Sequence, residues 1–130
     1  MEAFAQGLRR QGYQAEIDKS DLESPNIFTG LSGSRTAISF SSCTGMDCDY
    51  VEIISSWKIV DRTVALKVIQ EWNREERFSG AVYLESDQTV AVYHYILLGK
   101  DGITLQNLIE NLEYFSRDYE ELGKHLAGGQ

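Results

Sequence analysis

Apolar residues recur along the chain with two different periods, and the switches between those periods divide it into elements. Phe4, Leu8 and Tyr13 fit a short opening helix that Gly12 is placed to stop. Asp18 to Pro25 is polar and reads as a loop. Three β-like runs follow: Ile27 to Leu31, then Arg35 to Cys43 with Thr36, Ile38 and Phe40 on one face, then Asp49 to Ile59 alternating through Val51, Ile53, Ser55, Trp57 and Ile59. The connections Ser32-Gly33-Ser34 and Thr44-Gly45-Met46-Asp47 are short enough for antiparallel hairpins. Asp61 or Thr63 can cap a second helix with Val64, Val68, Ile69 and Trp72 on its apolar side, fraying near Arg77 and Phe78. A second hairpin runs from Ala81 through Ser86-Asp87 to Leu98, and Gly99-Lys100-Asp101-Gly102 breaks the chain after it. In the last helix, capped by Thr104, the apolar residues Leu105, Leu108, Leu112, Phe115, Tyr119, Leu122 and Leu126 are spaced alternately three and four apart. That seam predicts either a helix lying across a sheet or one pairing with a second helix in a dimer. The expected architecture is α+β: three helices and a largely antiparallel five-stranded sheet in the order α-β-β-β-α-β-β-α.

Length and composition fit one globular domain over residues 1–130: 42% of residues are hydrophobic, 25% charged, and Pro25 is the sole proline. The formal net charge of -8 removes the Lys/Arg footprint that nucleic acid demands, and it disfavours anionic membrane surfaces. A basic protein partner is compatible with that charge, as is solubility alone. No apolar run approaches the roughly 20 residues of a membrane span, and no signal peptide is visible at the N-terminus. The chain therefore reads as cytoplasmic as written, or as periplasmic if an export signal has been removed.

Glu71-Trp72-Asn73-Arg74-Glu75-Glu76-Arg77-Phe78 resembles the YbjN-domain family, described as sensory transduction regulators of bacteria. The likeness continues through Ala81-Val82-Tyr83-Leu84-Glu85, Gly102-Ile103-Thr104 and the closing helix with Asn107, Leu112 and Phe115, so that it runs from about Leu8 to Leu126. Trp72, Asn73, Arg77 and Phe78 are its most specific residues. The resemblance implies a fold like that of type III secretion chaperones, which are often dimers, and it carries over no catalytic residue. Two departures stand out: Glu85-Ser86-Asp87-Gln88 is shorter than the family's acidic turn and lacks its glycine, and Val92-Tyr93-His94-Tyr95-Ile96 replaces a strand that usually alternates with acids. Ser39-Phe40-Ser41-Ser42-Cys43 followed by Cys48 resembles a branch of the family with a cysteine pair near these strands.

If the four-residue turn closes its hairpin, Cys43 and Cys48 face each other at a separation a disulfide can span; two reduced thiols are the other reading. Two cysteines with only His94 and His125 as further soft ligands make a poor zinc site. His94 lies mid-strand, where a hydrogen-bonded, half-buried imidazole is the simplest reading, and His125 suits the C-terminal end of the helix dipole. Glu75-Glu76 and Glu120-Glu121 read as solvated helix faces. Asp47 and Asp49 lack the ligand spacing of an EF-hand loop. No Walker, Rossmann or Gly-x-Ser-x-Gly pattern occurs. No catalytic residue, cofactor or metal is expected.

The run Val90 to Leu98 carries Val90, Val92, Ile96 and Leu98 on one side and Ala91, Tyr93, Tyr95 and Leu97 on the other. A strand with no polar side wants cover on both faces. Helices would cover one face. The Tyr93, Tyr95 and Leu97 side, with Tyr83 nearby, would meet a second subunit or a protein partner, since tyrosine is apolar in its ring and tolerates water at its hydroxyl. Function is therefore expected to be non-catalytic protein binding, with a homodimer anticipated. The competing readings are a ligand-binding protein or enzyme using a pocket near His94, and an exported structural domain held by Cys43–Cys48.

Overall fold

Every strand expected from alternation forms, and one more forms beside them. The computed structural model describes residues 1–21, 24–31, 33–43, 48–75, 77–99 and 102–128. The expected turn Thr44–Asp47, together with Ser32, Glu76, Lys100 and Asp101 from other expected features, lies outside the described residues. Within them the order is α1 (Glu2–Arg10), β1 (Glu16–Asp18), β2 (Asn26–Leu31), β3 (Ser34–Ser41), β4 (Tyr50–Lys58), α2 (Arg62–Arg74), β5 (Gly80–Leu84), β6 (Thr89–Leu97) and α3 (Leu105–Gly128). The strands build one antiparallel sheet in the order β1-β2-β3-β4-β6-β5. The sheet thus has six strands, not the expected five. The additional strand, Glu16-Ile17-Asp18, is three residues long with a single apolar side chain, too short for alternation to register. It is held by its register with Asn26–Phe28.

Register divides the sheet cleanly into two faces. Ile27, Ile38, Ile53, Val51, Phe40, Val90 and Val92 are buried on one face, where α1, α2 and α3 contribute Ala5, Leu8, Ala65, Val68, Trp72, Leu108, Leu112, Phe115, Tyr119, Leu122 and Leu126 to the same core. The α3 seam is therefore consumed inside the monomer, which fits the sheet-crossing reading of its spacing rather than helix pairing. Trp57 fastens α3 to β4: its ring stacks on Tyr119 at 4.4 Å, its indole N–H donates to the Tyr119 carbonyl at 3.0 Å, and the Tyr119 hydroxyl donates to the Ser56 carbonyl at 2.8 Å.

Local chemistry sets the helix ends. Asp61 accepts hydrogen bonds from the backbone N–H groups of Thr63 and Val64, and Thr104 Oγ1 accepts from Asn107 N–H. α1 stops at Gly12, whose φ of 90° lets the Tyr13 N–H return to the Leu8 carbonyl at 3.0 Å.

Candidate functional site

The four residues that carry the family likeness form a packed, hydrogen-bonded knot between α2, β5 and α3. At the end of α2 the buried Trp72 donates its indole N–H to the Ser79 carbonyl at 2.8 Å, and the Arg77 guanidinium lies 4.1 Å over the Trp72 ring. Arg77 also pairs with Glu75 and, at 2.8 Å, with Glu121 on α3. Phe78 stacks on His94 at 3.8 Å and leans on Tyr114 at 5.6 Å. Asn73 reaches β5, the outer strand of the sheet: its side-chain amide donates to the Ala81 carbonyl at 2.9 Å and accepts from the Ala81 N–H at 3.0 Å. One side chain thereby imitates a neighbouring strand and closes the sheet edge at Ala81, a place otherwise open to pairing with another chain. Asn73→Ala is expected to lose about 1–2 kcal/mol of stability by leaving both Ala81 groups unpaired. The same variant should self-associate at concentrations where the parent does not, which urea unfolding and light scattering would check.

His94 is held, not poised. Its Nδ1 lies 3.0 Å from the Phe78 carbonyl, Asn111 supplies a further hydrogen bond, and Phe78 covers one ring face. Burial lowers its pKa below the ordinary imidazole value, with the Phe78 and Asn111 hydrogen bonds opposing. A depressed value means that the neutral form is favoured in the folded state, so this contribution is present above the ordinary pKa and is lost on acidification. The two clefts at the β1–β2–β3 end, lined by residues such as Gly12, Tyr13, Thr29 and Arg35 in one and Glu113 and Arg117 in the other, do not include His94. His125 sits in the last turn of α3 beside Glu121 and edge-on to Trp72. Among the described residues no group of three or more His, Cys, Asp or Glu side chains is placed to hold a metal.

Cys43 and Cys48 are joined by a disulfide across the end of the β3–β4 hairpin, and both pack partly against the core. With five positions separating them, reduction is expected to cost about 2 kcal/mol through the freed chain entropy of the unfolded state. Comparing denaturant midpoints with and without reductant measures that loss, and identical midpoints would contradict it.

On the other face of the sheet no helix packs among the described residues. One row of register partners crosses all six strands on this side: Glu16, Phe28, Ala37, Ile54, Tyr93 and Gly80. Alongside it Glu52 pairs with Tyr95, and Tyr50 with Leu97. Tyr95 is 51% exposed and Leu97, the last residue of β6, 84%, both on the stretch that extends past the final β5 pair, Gly80 with Tyr93. Tyr93 lies across Gly80, where an added Cβ would come within 2.7 Å of its ring. The structure thus brings Tyr93, Tyr95 and Leu97 together but not Tyr83. Tyr83 is opposite Val90, which puts it on the helix-covered face, where it packs against the core and its hydroxyl donates to the Ile59 carbonyl at 3.3 Å. Strand parity decides this, and parity between β5 and β6 depends on a turn whose register the sequence pattern left open.

Sequence reasoning missed two members of the cluster, Tyr50 and Glu52. Tyr50 meets Tyr95 edge to face at 5.6 Å, Tyr95 meets Tyr93 at 5.7 Å, and the Tyr95 hydroxyl donates to the Glu52 carboxylate. That hydrogen bond, with smaller help from burial and the charge of Glu52, pushes the Tyr95 hydroxyl up to about 12. A proton held more tightly in the folded state gives stability that is present below the ordinary tyrosine pKa and is lost as pH rises through the folded value. Since burial raises Tyr13 as well, ultraviolet titration should show a late-ionising fraction that shrinks in Tyr95→Phe and shifts earlier in Glu52→Gln.

Comparison with known proteins accords with this geometry. The family model YbjN, described as "Putative bacterial sensory transduction regulator", matches residues 2–127. No curated protein matches the chain. Among solved structures, the crystal structure of an uncharacterized protein from Methanothermobacter thermautotrophicus aligns with a TM-score of 0.69 at 13% identity, covering 98% of this chain and 96% of that one. At that identity the likeness speaks for the fold alone.

Proposed function

Since the chain belongs to the YbjN family, whose description names regulation and no reaction, we propose that it is a non-catalytic recognition module whose helix-free sheet face docks a segment of a protein partner. The observation that carries this is the exposure of Tyr95 and Leu97 at the end of β6 that runs past β5, on a face over which no helix among the described residues packs. Antiparallel sheets that meet water on one side normally present polar residues there. Around the β4–β6 pairing this one instead gathers Tyr50, Ile54, Tyr93, Tyr95 and Leu97, with tyrosine a residue type enriched at protein interfaces, while the β1–β3 side of the face is largely polar and its Phe28 lies under Arg35.

Charge selects the occupant. The chain carries a net charge of -8, and Glu52 lies within the aromatic cluster, so the favoured partner is a segment with basic residues flanking apolar ones. A homodimer through the same face is the competing occupant, and an isologous contact would lay one acidic patch on its own copy. The Cys43–Cys48 disulfide favours an oxidising compartment as the place of action.

Selection from a random peptide library tests the proposal. Enriched peptides should bind the parent and lose binding to Tyr93→Ser/Tyr95→Ser/Leu97→Ser, whose three altered side chains all lie outside the buried core. Enrichment that ignores these substitutions would reject the face. A dimer in light scattering that the same substitutions dissolve would assign the face to a second copy instead.

A further inference from the structure

Glu52 is an unusual residue to find in the centre of a half-bare sheet, because glutamate is depleted in strands and gains little there. Its register partners are Ser39 on β3 and Tyr95 on β6. The Ser39 hydroxyl is already committed to Asn26 Oδ1 at 2.5 Å. No ion pair among the described residues includes Glu52. Three tyrosines share its face of the β4–β6 pairing. Tyr50 precedes it by two positions on the same face of β4, Tyr95 stands directly across on β6, and Tyr93 lies one same-face position further along. The rings are inclined to one another, 69° between Tyr50 and Tyr95 and 59° between Tyr93 and Tyr95, so they present edges and faces in several directions.

Aromatic faces are negative by their quadrupole, and a carboxylate among them makes the local potential of a single sign. A cation is the missing complement. We propose that Tyr50, Glu52, Tyr93 and Tyr95 form a receptor for one arginine side chain of the docked partner, which rests on the docking role proposed for this face. Arginine suits the site better than lysine. Its planar guanidinium can lie on a tyrosine ring while its fork donates to a carboxylate, whereas an ammonium is a compact, strongly hydrated point charge. Leu97, opposite Tyr50 and largely exposed, gives the residue next to that arginine an apolar seat.

Titration with N-acetyl-arginine amide, followed by the ring and amide signals of the intact chain, tests the receptor without knowledge of the natural partner. Saturable shifts are expected at Tyr50, Glu52, Tyr93 and Tyr95, with half-saturation on the order of 10 mM, what one cation–π contact and one exposed ion pair can supply. N-acetyl-lysine amide should bind several-fold more weakly. Glu52→Gln should weaken arginine roughly 10-fold with the circular dichroism spectrum unchanged. Shifts that do not saturate, or that persist undiminished in Glu52→Gln, would overturn the receptor. If arginine fails while library peptides still depend on Tyr93, Tyr95 and Leu97, only the arginine anchor is wrong. If face-dependent peptides are absent as well, the docking face itself falls.

Discussion

Trp72→Ala is expected to remove about 3–5 kcal/mol of stability, the range for deleting a buried tryptophan. Against a total of roughly 5–15 kcal/mol for a domain of this kind, that is a large share of what keeps the chain folded. The size follows from what the ring holds together. Trp72 anchors α2 in the core, its N–H satisfies the carbonyl of Ser79 just ahead of β5, and its face supports Arg77, which in turn pairs with Glu121 on α3. Trp72→Phe separates the contributions: it keeps most of the packing but strands the Ser79 carbonyl, so a smaller loss of about 1–2 kcal/mol is expected. Urea unfolding followed by circular dichroism measures both. A loss below about 1 kcal/mol in Trp72→Ala would show that the knot is not what joins α2 to the sheet.

Gly123→Ala is expected to destabilise by about 2 kcal/mol, although alanine in a helix interior is ordinarily worth up to about 1 kcal/mol over glycine. The reversal comes from Trp57. A Cβ at position 123 would sit 2.5 Å from Cζ2 and 2.9 Å from Cε2 of its indole. That ring cannot retreat cheaply, being stacked on Tyr119 and hydrogen-bonded to the Tyr119 carbonyl. In a Trp57→Leu background the obstacle is gone, and Gly123→Ala should become neutral or stabilising. A rise in thermal midpoint for the single Gly123→Ala variant would contradict the close approach of α3 to β4.

Much of this fold was legible because its long elements are strongly periodic. The three-four spacing from Leu105 to Leu126 marks the α3 face that is buried, and the alternation through Thr36, Ile38 and Phe40 marks the helix-covered face of β3. The caps at Asp61 and Thr104 are local chemistry and follow from residue type. What escaped was whatever depends on partners distant in sequence. β1 exists through its register with β2, not through its own three residues. Asn73 reads as one more polar position at the end of a helix until β5 is known to be the outer strand beside it.

The candidate site divides along the same line. Tyr93, Tyr95 and Leu97 share a face by simple alternation, so the sequence could group them. Tyr50 and Glu52 join them through the β4–β6 pairing, a contact between strands separated by α2 and β5. Tyr83 left the group because the β5–β6 register sets it across from Val90. The apolar surplus on β6 is real, but among the described residues helices cover only one of its faces.

The most direct measurement is a map of backbone amide and tyrosine ring shifts when a face-selected, arginine-bearing peptide is added to the full chain. Docking on the bare sheet face requires the largest shifts at Glu52, Ile54, Tyr93, Tyr95 and Leu97, with α3 from Leu105 to Gly128 nearly silent. Largest shifts along α3, with those five positions unmoved, would place recognition on the opposite side of the molecule and contradict the account.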